Sequence, residues 1–218
     1  MPTPSSVPLI EGYALGPFGT NCYIVHVPPH EECWIVDASY SPQPLIERVR
    51  QQGLKPSHIL LTHAHGDHIA GLDELRAAFP DAKVFVHENE ASFLTNPVLN
   101  LSGGFGTPVT AAPPDGTLRG GESLNLSGSE WSVLHTPGHS PGGITFYNAP
   151  ARAAIVGDVL FEESVGRFDF PTSNEADLQK SIRHVLYKLP DDTRVYPGHG
   201  RPTTIGHEKK HNPFVREE

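Results

Sequence analysis

Short runs of hydrophobic residues, each about as long as a β-strand, recur along the whole chain. Several of them, such as 21–27 and 153–157, are apolar at nearly every position. A strand with one face in water alternates apolar and polar residues, whereas a strand covered on both faces does not. The pattern therefore predicts sheets that are buried on both faces. The predicted strands are 13–16, 21–27, 33–38, 58–63, 83–87, 131–136, 143–148, 153–158 and 194–200.

Segments with apolar residues at helical spacing lie between these strands. They are 42–53, 68–79 and 174–189, and each stops at a glycine or just before a proline, the residues that most often end helices. Strands that alternate with helices predict an α/β protein whose helices cover the outer faces of its sheets. The stretch 95–128 is rich in glycine and proline, which predicts an ordered loop inside the domain.

Length and composition limit the classes to which this chain can belong. Its 218 residues suit one large domain, expected to span 1–218. No segment approaches the roughly 20 apolar residues of a membrane span, and the N-terminus lacks the features of a secretory signal. The formal net charge of −9, without a cluster of Lys and Arg, disfavours nucleic acid as a partner. We expect a cytoplasmic protein that binds small molecules, and neither nucleic acid nor a membrane.

The two cysteines, Cys22 and Cys33, lie on neighbouring predicted strands. A cytoplasmic protein keeps its thiols reduced, and free cysteine is among the most buried of all residue types. The sequence therefore predicts two buried free thiols and no disulfide bond.

A dense group of metal-binding residue types follows the strand predicted at 58–63. The sequence THAHGDH places His63, His65, Asp67 and His68 within six positions. Residues two apart in an extended segment point to the same side, so the first two histidines can share one metal ion. The aspartate and the third histidine lie past a glycine turn and can serve a second ion. In the alternative interpretation Asp67 only caps the next helix, but imidazoles this close gain little unless a cation binds them.

Three more metal-binding residues follow predicted strands further along the chain. His139 lies in the turn TPGHSPGG, Asp158 ends the run AAIVGD, and His199 lies between two glycines in YPGHG. The carboxyl ends of strands in α/β proteins often meet at one edge, where binding sites form. Each residue alone is more often an ordinary polar residue at a strand end. Together with THAHGDH, they make up a set of candidate metal ligands.

These motifs, in this order, resemble the metallo-β-lactamase superfamily over nearly the whole chain. The resemblance implies a four-layer αβ/βα sandwich, in which two mixed sheets pack face to face with helices outside. It implies a dinuclear site at one edge of the sheets. One metal would be held by His63, His65 and His139, the other by Asp67, His68 and His199, and Asp158 would bridge both. It further implies that Asp37 supports the site by orienting a ligand imidazole, although a strand-ending surface aspartate is the alternative.

Within that superfamily the chain most resembles the glyoxalase II group, the hydroxyacylglutathione hydrolases, and above all its shorter bacterial members. The resemblance rests on GTNCYIV, LHTPGHSPGGITFY, GDVLFEESVGRFDFP and LPDDTRVYPGHGRPTTIGHEKKHNPF. The longer enzymes carry a C-terminal helical region that helps bind glutathione, and we expect this chain to lack it. They also have Lys and Tyr where this chain reads GRFD at 166–169, and Glu-Tyr where it reads GR at 200–201.

The implied metals predict a hydrolase. Two cations that share a water lower its pKa, so that a metal-bound hydroxide can attack a carbonyl while the same ions stabilise the oxyanion. Asp67 and Asp158 are then the candidate catalytic carboxylates. A thioester suits this chemistry because its thiolate leaves without a strong general acid. We predict a hydrolase of thioesters such as S-lactoylglutathione that uses two divalent ions, with zinc preferred and iron or manganese as alternatives.

Two other functions remain open from the sequence. Persulfide dioxygenases share the scaffold and a GRFDF-type stretch, but they hold one iron through two histidines and one aspartate, and usually alter the last histidine motif. A metallohydrolase for another ester or a lactone is the second alternative. Arg167 is a candidate contact for a substrate carboxylate, and its alternative is a solvated surface arginine.

Overall fold

The computed structural model describes residues 7–104 and 106–216. The helices in these ranges are α1 (Gln43–Gln51), α2 (Gly66–Ile69), α3 (Leu72–Ala78), α4 (Glu175–His184) and α5 (Ile205–His211). Short 3-10 segments lie at Glu88–Thr95, Ser102–Gly104 and Leu186–Lys188. The strands are β1 (Leu9–Leu15), β2 (Thr20–His26), β3 (Glu32–Val36), β4 (Lys55–Leu60), β5 (Lys83–His87), β6 (Gly116–Leu118), β7 (Ser123–Leu126), β8 (Ser129–His135), β9 (Ile144–Asn148), β10 (Ala153–Gly157), β11 (Leu160–Phe161), β12 (Ser164–Val165), β13 (Arg194–Pro197) and β14 (Thr203–Thr204).

The strands form two large mixed sheets and one small hairpin. The first sheet has the order β1-β2-β3-β4-β5-β6, and the second has the order β14-β13-β10-β9-β8-β7. In the first sheet β3, β4, β5 and β6 run parallel, while β1 and β2 pair antiparallel. In the second sheet only β10 and β13 pair in parallel. The hairpin β11–β12 forms a separate two-stranded sheet that packs against the second large sheet.

Three buried hydrophobic clusters define the layers. One cluster joins the facing sides of the two sheets, with Trp34 of the first sheet close to Trp131 of the second. Another packs α1 and α3 on the outer face of the first sheet, and the third packs α4 and α5 on the outer face of the second. The order helix, sheet, sheet, helix confirms the predicted αβ/βα sandwich. No helix in the described part of the chain is long and apolar enough to cross a membrane.

The apolar runs of the sequence become the strands covered on both faces. Every residue of β2 and β10 is buried, because each of these strands lies inside its sheet and has a core on either side. Cys22 and Cys33 are buried and free, which confirms the prediction of two unpaired thiols.

The prediction of one continuous helix over 68–79 is wrong, because the structure has two helices, α2 and α3, separated near Gly71. A Cβ at Gly71 would clash with the carbonyl oxygen of Ser39, and the amide of Gly71 donates to the Ala38 carbonyl at 2.8 Å. The chain turns here because its backbone must pass close to the loop after β3.

The prediction of a loop over 95–128 is wrong in part, because this stretch contains β6 and β7, the edge strands of the two sheets. Both are short, and their sequences GTL and SLNL carry little apolar periodicity. Pairing with β5 and β8, which the local sequence does not encode, makes them strands.

Candidate metal centre

The structure brings all of the predicted metal ligands to one edge of the sandwich, where the two sheets meet. Four of them follow β4: His63 and His65 lie just before α2, and Asp67 and His68 lie within it. The others follow β8, β10 and β13. Their ligand atoms form three overlapping groups, and within each group these atoms lie within 4.8 Å of one another. The groups are His63, His65 and His139; His63, His68 and Asp158; and Asp67, His68 and His199.

Asp158 occupies the middle of this cluster, which is the place of the bridging residue in the implied dinuclear site. Its Oδ2 lies 3.6 Å from Nε2 of His139 and 3.4 Å from Nε2 of His199, and its Oδ1 lies 3.4 Å from Nε2 of His68. One carboxylate thus touches residues from both predicted sets of ligands.

The other contacts in the cluster are equally short. Nε2 of His139 lies 2.9 Å from Nδ1 of His65. Oδ2 of Asp67 lies 3.3 Å from Nε2 of His199 and 3.5 Å from Nε2 of His68. Seven ligand-type side chains therefore crowd into a space that could accommodate two ions.

Several buried polar atoms in the cluster have no hydrogen-bond partner. They are Nε2 of His63, His65 and His68, and Oδ1 of Asp158. Buried polar atoms are rarely left without a partner, so unpaired nitrogens beside carboxylates indicate that a cation belongs here. Imidazole and carboxylate donors suit zinc, iron and manganese. The residues present therefore fit a His-rich metal site.

Four of the imidazoles in the cluster are also held through the nitrogen that faces away from it. Such contacts fix the tautomer and the direction of a metal-binding imidazole. Nδ1 of His63 lies 3.2 Å from the Thr62 hydroxyl. Nδ1 of His68 donates to the carboxylate of Asp37 at 2.9 Å. The other two donate to backbone carbonyls: Nδ1 of His139 to Arg167 at 2.8 Å, and Nδ1 of His199 to Phe18 at 3.2 Å.

Asp37 lies where the sequence predicts a supporting carboxylate. Besides His68, it accepts hydrogen bonds from the amide of Thr62 at 2.7 Å and from its hydroxyl at 2.8 Å. Asp37 has a φ of 64°, a left-handed conformation that aspartate and asparagine tolerate better than most residues. The turn aims its carboxylate at the loop that carries the histidines.

Burial and neighbouring charge divide the imidazoles into two classes. Burial lowers the pKa of His63 and His139, and it lowers the pKa of His65 to about 3. Burial also opposes the charged form of His199, but hydrogen bonds to Asp158 and Asp67 prevail and raise its pKa to about 9. The first class is neutral and ready to bind a metal, whereas the second takes up positive charge.

His68 belongs with His199. Burial opposes its charged form, but the carboxylates of Asp67, Asp158 and Asp37 raise its pKa well above the usual range. In return, the charge on His68 overcomes the effect of burial and lowers the pKa of Asp67 and Asp158. The carboxylate side of the cluster therefore requires positive charge, which a metal ion would supply.

Strand β2 contributes three residues that sequence reasoning missed. The hydroxyl of Thr20 donates to Oδ2 of Asp67 at 2.7 Å. Asn21 donates to the carbonyls of Pro197 and Gly200, and the Tyr23 hydroxyl donates to Pro197 at 2.6 Å. Together they hold Asp67 and the turn of His199. The available signal was a threonine and an asparagine at the start of an otherwise apolar strand, since buried polar residues need partners.

A cavity of about 380 Å³ opens on the cluster. Apolar and aromatic side chains form much of its wall, among them Phe18, Tyr40, Leu101, Phe161 and Phe170. Arg167 also lines the cavity, as its predicted role requires. Its guanidinium, however, makes two hydrogen bonds to Asp169, at 2.9 and 2.8 Å, and lies 4.3 Å above the Phe170 ring. Its charge is therefore already balanced by a neighbour.

The sandwich fold and a histidine-rich cluster at its edge define a class of metal-binding proteins. A family model described as the metallo-beta-lactamase superfamily matches residues 15–199, and the chain belongs to that superfamily. It is 39% identical to the probable metallo-hydrolase YqgX of Bacillus subtilis, over 92% of this chain and 94% of that protein. It is 35% identical to the hydroxyacylglutathione hydrolase GloC of Haemophilus influenzae, over 94% of this chain and 97% of that one.

Solved structures of similar proteins have the same fold. The di-iron-bound form of TTHA1623 superposes with a TM-score of 0.83 at 35% identity, covering 94% of this chain and 100% of that one. The B3 metallo-beta-lactamase BLEG-1 superposes with a TM-score of 0.90 at 39% identity, covering 95% and 99%. Family and cluster together make this chain a metal-dependent hydrolase of the superfamily.

Proposed function

We propose that this protein hydrolyses thioesters, in particular hydroxyacylglutathiones such as S-lactoylglutathione, at a centre of two divalent metal ions. The observation that carries the proposal is the complete double set of ligands. Asp67, His68 and His199 lie beside the group of His63, His65 and His139, with Asp158 between them. The likeness to GloC supports the substrate class.

The two sets of ligands would hold two ions, with Asp158 in contact with both. Bound there, zinc, iron or manganese would polarise a carbonyl and lower the pKa of a water. Asp67 stays ionised and is fixed by the Thr20 hydroxyl, so it can accept a hydrogen bond from that water and orient it. The departing thiolate needs no strong acid, and none of the chain's residues has to supply one.

The cavity walls suit an acyl thioester. Phe170 lies edge-on to the rings of His65 and His139, with ring centroids 5.7 and 5.8 Å apart. Phe161 lies edge-on to the ring of His199 at 6.2 Å. These aromatic side chains would exclude bulk water from the reacting carbonyl and press the acyl group towards the cluster.

The test combines a metal assay with turnover. Purified full-length protein is assayed for bound zinc, iron and manganese and for hydrolysis of S-lactoylglutathione. We expect about two ions per chain and efficient turnover. His199→Ala should lower the metal content towards one ion and abolish turnover. His184→Ala, at an exposed histidine that ends α4 and is none of the candidate ligands, should change neither.

Other outcomes would redirect the proposal. A single iron with oxygen uptake on glutathione persulfide would replace it with the dioxygenase function. Hydrolysis of a lactone or of the β-lactam nitrocefin, without thioester turnover, would keep the dinuclear centre and overturn the substrate class. The similarity to BLEG-1 makes the β-lactam arm a necessary part of the assay.

A further inference from the structure

A fully buried carboxylate, Glu90, lies behind the metal cluster and is none of its predicted ligands. It belongs to the 3-10 segment Glu88–Thr95, which follows β5, and its exposed fraction is 0%. Buried carboxylates are costly unless their oxygens are well hydrogen bonded, so the partners of this residue indicate what it does.

Glu90 connects the two loops that carry one group of ligands. Its Oε2 accepts the amide of Ala64 at 2.5 Å, and its Oε1 accepts the amide of Gly142 at 2.7 Å. Ala64 is the residue between His63 and His65, and Gly142 lies three residues after His139. A single side chain thus spans the gap between the two loops whose histidines converge.

Gly142 gives independent evidence that this contact is built closely. A Cβ at that position would lie 2.9 Å from Cγ, 3.0 Å from Cδ and 3.0 Å from Oε1 of Glu90. The first separation is shorter than real Cβ contacts, and the other two are tighter than most of them. The loop after His139 therefore approaches Glu90 so closely that a larger residue than glycine would displace the carboxylate.

The chemistry of the contact requires a carboxylate. Each oxygen accepts one backbone N–H, so both acceptors are in use. The amide of glutamine has only one acceptor oxygen, and its NH2 group would face one of the two N–H donors.

We propose that Glu90 is a positioning residue: by tying the His63–His65 loop to the His139 loop, it sets the spacing of these three imidazoles and thus their affinity for a metal ion. The inference rests on the metal-binding part of the proposed function and is independent of the substrate. In this proposal Glu90 positions the group of His63, His65 and His139, whereas other residues position the group of Asp67, His68 and His199.

The test is a zinc titration of metal-free, full-length protein against a chromophoric chelator, together with the visible spectrum of the cobalt-substituted protein. Glu90→Gln should weaken one of the two sites by about 10- to 100-fold, the usual effect of losing a partner behind the ligands, and leave the other site within about twofold. The cobalt spectrum should change for the weakened site. Glu88→Gln, an exposed neighbour on the same 3-10 segment paired with Arg119, should match the parent.

The outcomes separate this inference from the one on which it rests. If the parent protein binds no zinc, the metal centre itself is wrong. If the parent binds two ions and Glu90→Gln binds both with unchanged affinity and spectrum, while its metal-free form melts at a lower temperature, Glu90 is merely structural and the inference is overturned. Should Glu90→Gln not fold, the same titration on Glu90→Asp decides, since that variant keeps the charge but shortens the reach; unchanged affinity would again overturn the inference.

Discussion

The partners behind the histidines differ in kind. Most are backbone carbonyls or a hydroxyl, but His68 is held by the carboxylate of Asp37. A carboxylate makes an imidazole more electron-rich and a stronger ligand. His68 is also completely buried and touches both Asp67 and Asp158. Among the ligands it therefore depends most on a single supporting side chain.

Asp37→Asn should weaken metal binding without changing the backbone. Asparagine tolerates the left-handed conformation at this position, but its NH2 group would face the donors of Thr62 or His68. We expect metal affinity to fall by about 10- to 100-fold with the fold intact, as measured by zinc titration and circular dichroism. Asp81→Asn, at an exposed position, is the control. Equal metal affinities in the two variants would show that Asp37 does not influence metal binding through His68.

The two thiols should be inert in the native protein. Burial raises the pKa of Cys22 and of Cys33 to about 12, so at a pH of about 8 almost no thiolate is present and no reagent has access. Ellman's reagent should detect no thiol in the native protein and two after denaturation in guanidinium. Rapid labelling of either cysteine in the native state would contradict the burial of the two thiols.

Single elements differ in how far the sequence determines them. The buried strands β2 and β10 could be predicted because their apolar runs reflect a core on both faces. The short edge strands β6 and β7 could not, since pairing with a neighbour decides their conformation. The candidate ligands could be predicted because each lies in or just after a turn that follows an apolar strand. The role of Glu90 could not be predicted, because its partners are backbone amides that lie far from it in the chain.

The terminal helix α5 supports the cavity through one buried residue. Glu208 accepts the amide of Glu163 at 2.9 Å, the hydroxyl of Thr203 at 2.6 Å and the side-chain amide of Asn212 at 2.9 Å. Glu163 lies between β11 and β12, the hairpin that places Phe161 in the cavity wall. One carboxylate thus ties this hairpin to the helix.

Glu208→Ala should loosen the hairpin. The substitution leaves buried donors without an acceptor, which costs about 1–3 kcal/mol for each group, so we expect a loss of about 2–4 kcal/mol in the free energy of unfolding by urea. Hydrogen exchange should quicken at residues 160–165. Lys210→Ala, at an exposed position of the same helix, should alter neither measurement. An unchanged exchange rate in the hairpin would mean that other contacts hold it.

At the scale of the whole molecule, the cluster lies across the seam between the two sheets. The segment after β4 belongs to the first sheet, whereas His139, Asp158 and His199 follow strands of the second. An isolated bridge between Thr20 and His199 joins the same two parts. A bound ion would therefore be shared between the halves of the sandwich.

Removing the metal should lower the thermal stability of the entire chain. An ion bound only by the folded state, at about 100 times its Kd, contributes about 2.7 kcal/mol, which corresponds to a shift of roughly 5–10 °C in Tm for a domain of this size. Calorimetry before and after treatment with a chelator should show this shift, and added zinc should reverse it. His199→Ala should shift less on chelation. An identical Tm with and without chelator would contradict a shared ion.

The wide separation of the ligands along the chain has a consequence for the order of folding. Because the cluster draws on turns from His63 to His199, neither half offers a complete site until the sheets have docked, and docking requires contacts between distant parts of the sequence. A complete site would then form only after docking, so an ion would bind late in folding. The ion would hardly accelerate folding but would slow unfolding, so its benefit to the cell would be a longer lifetime of the native protein.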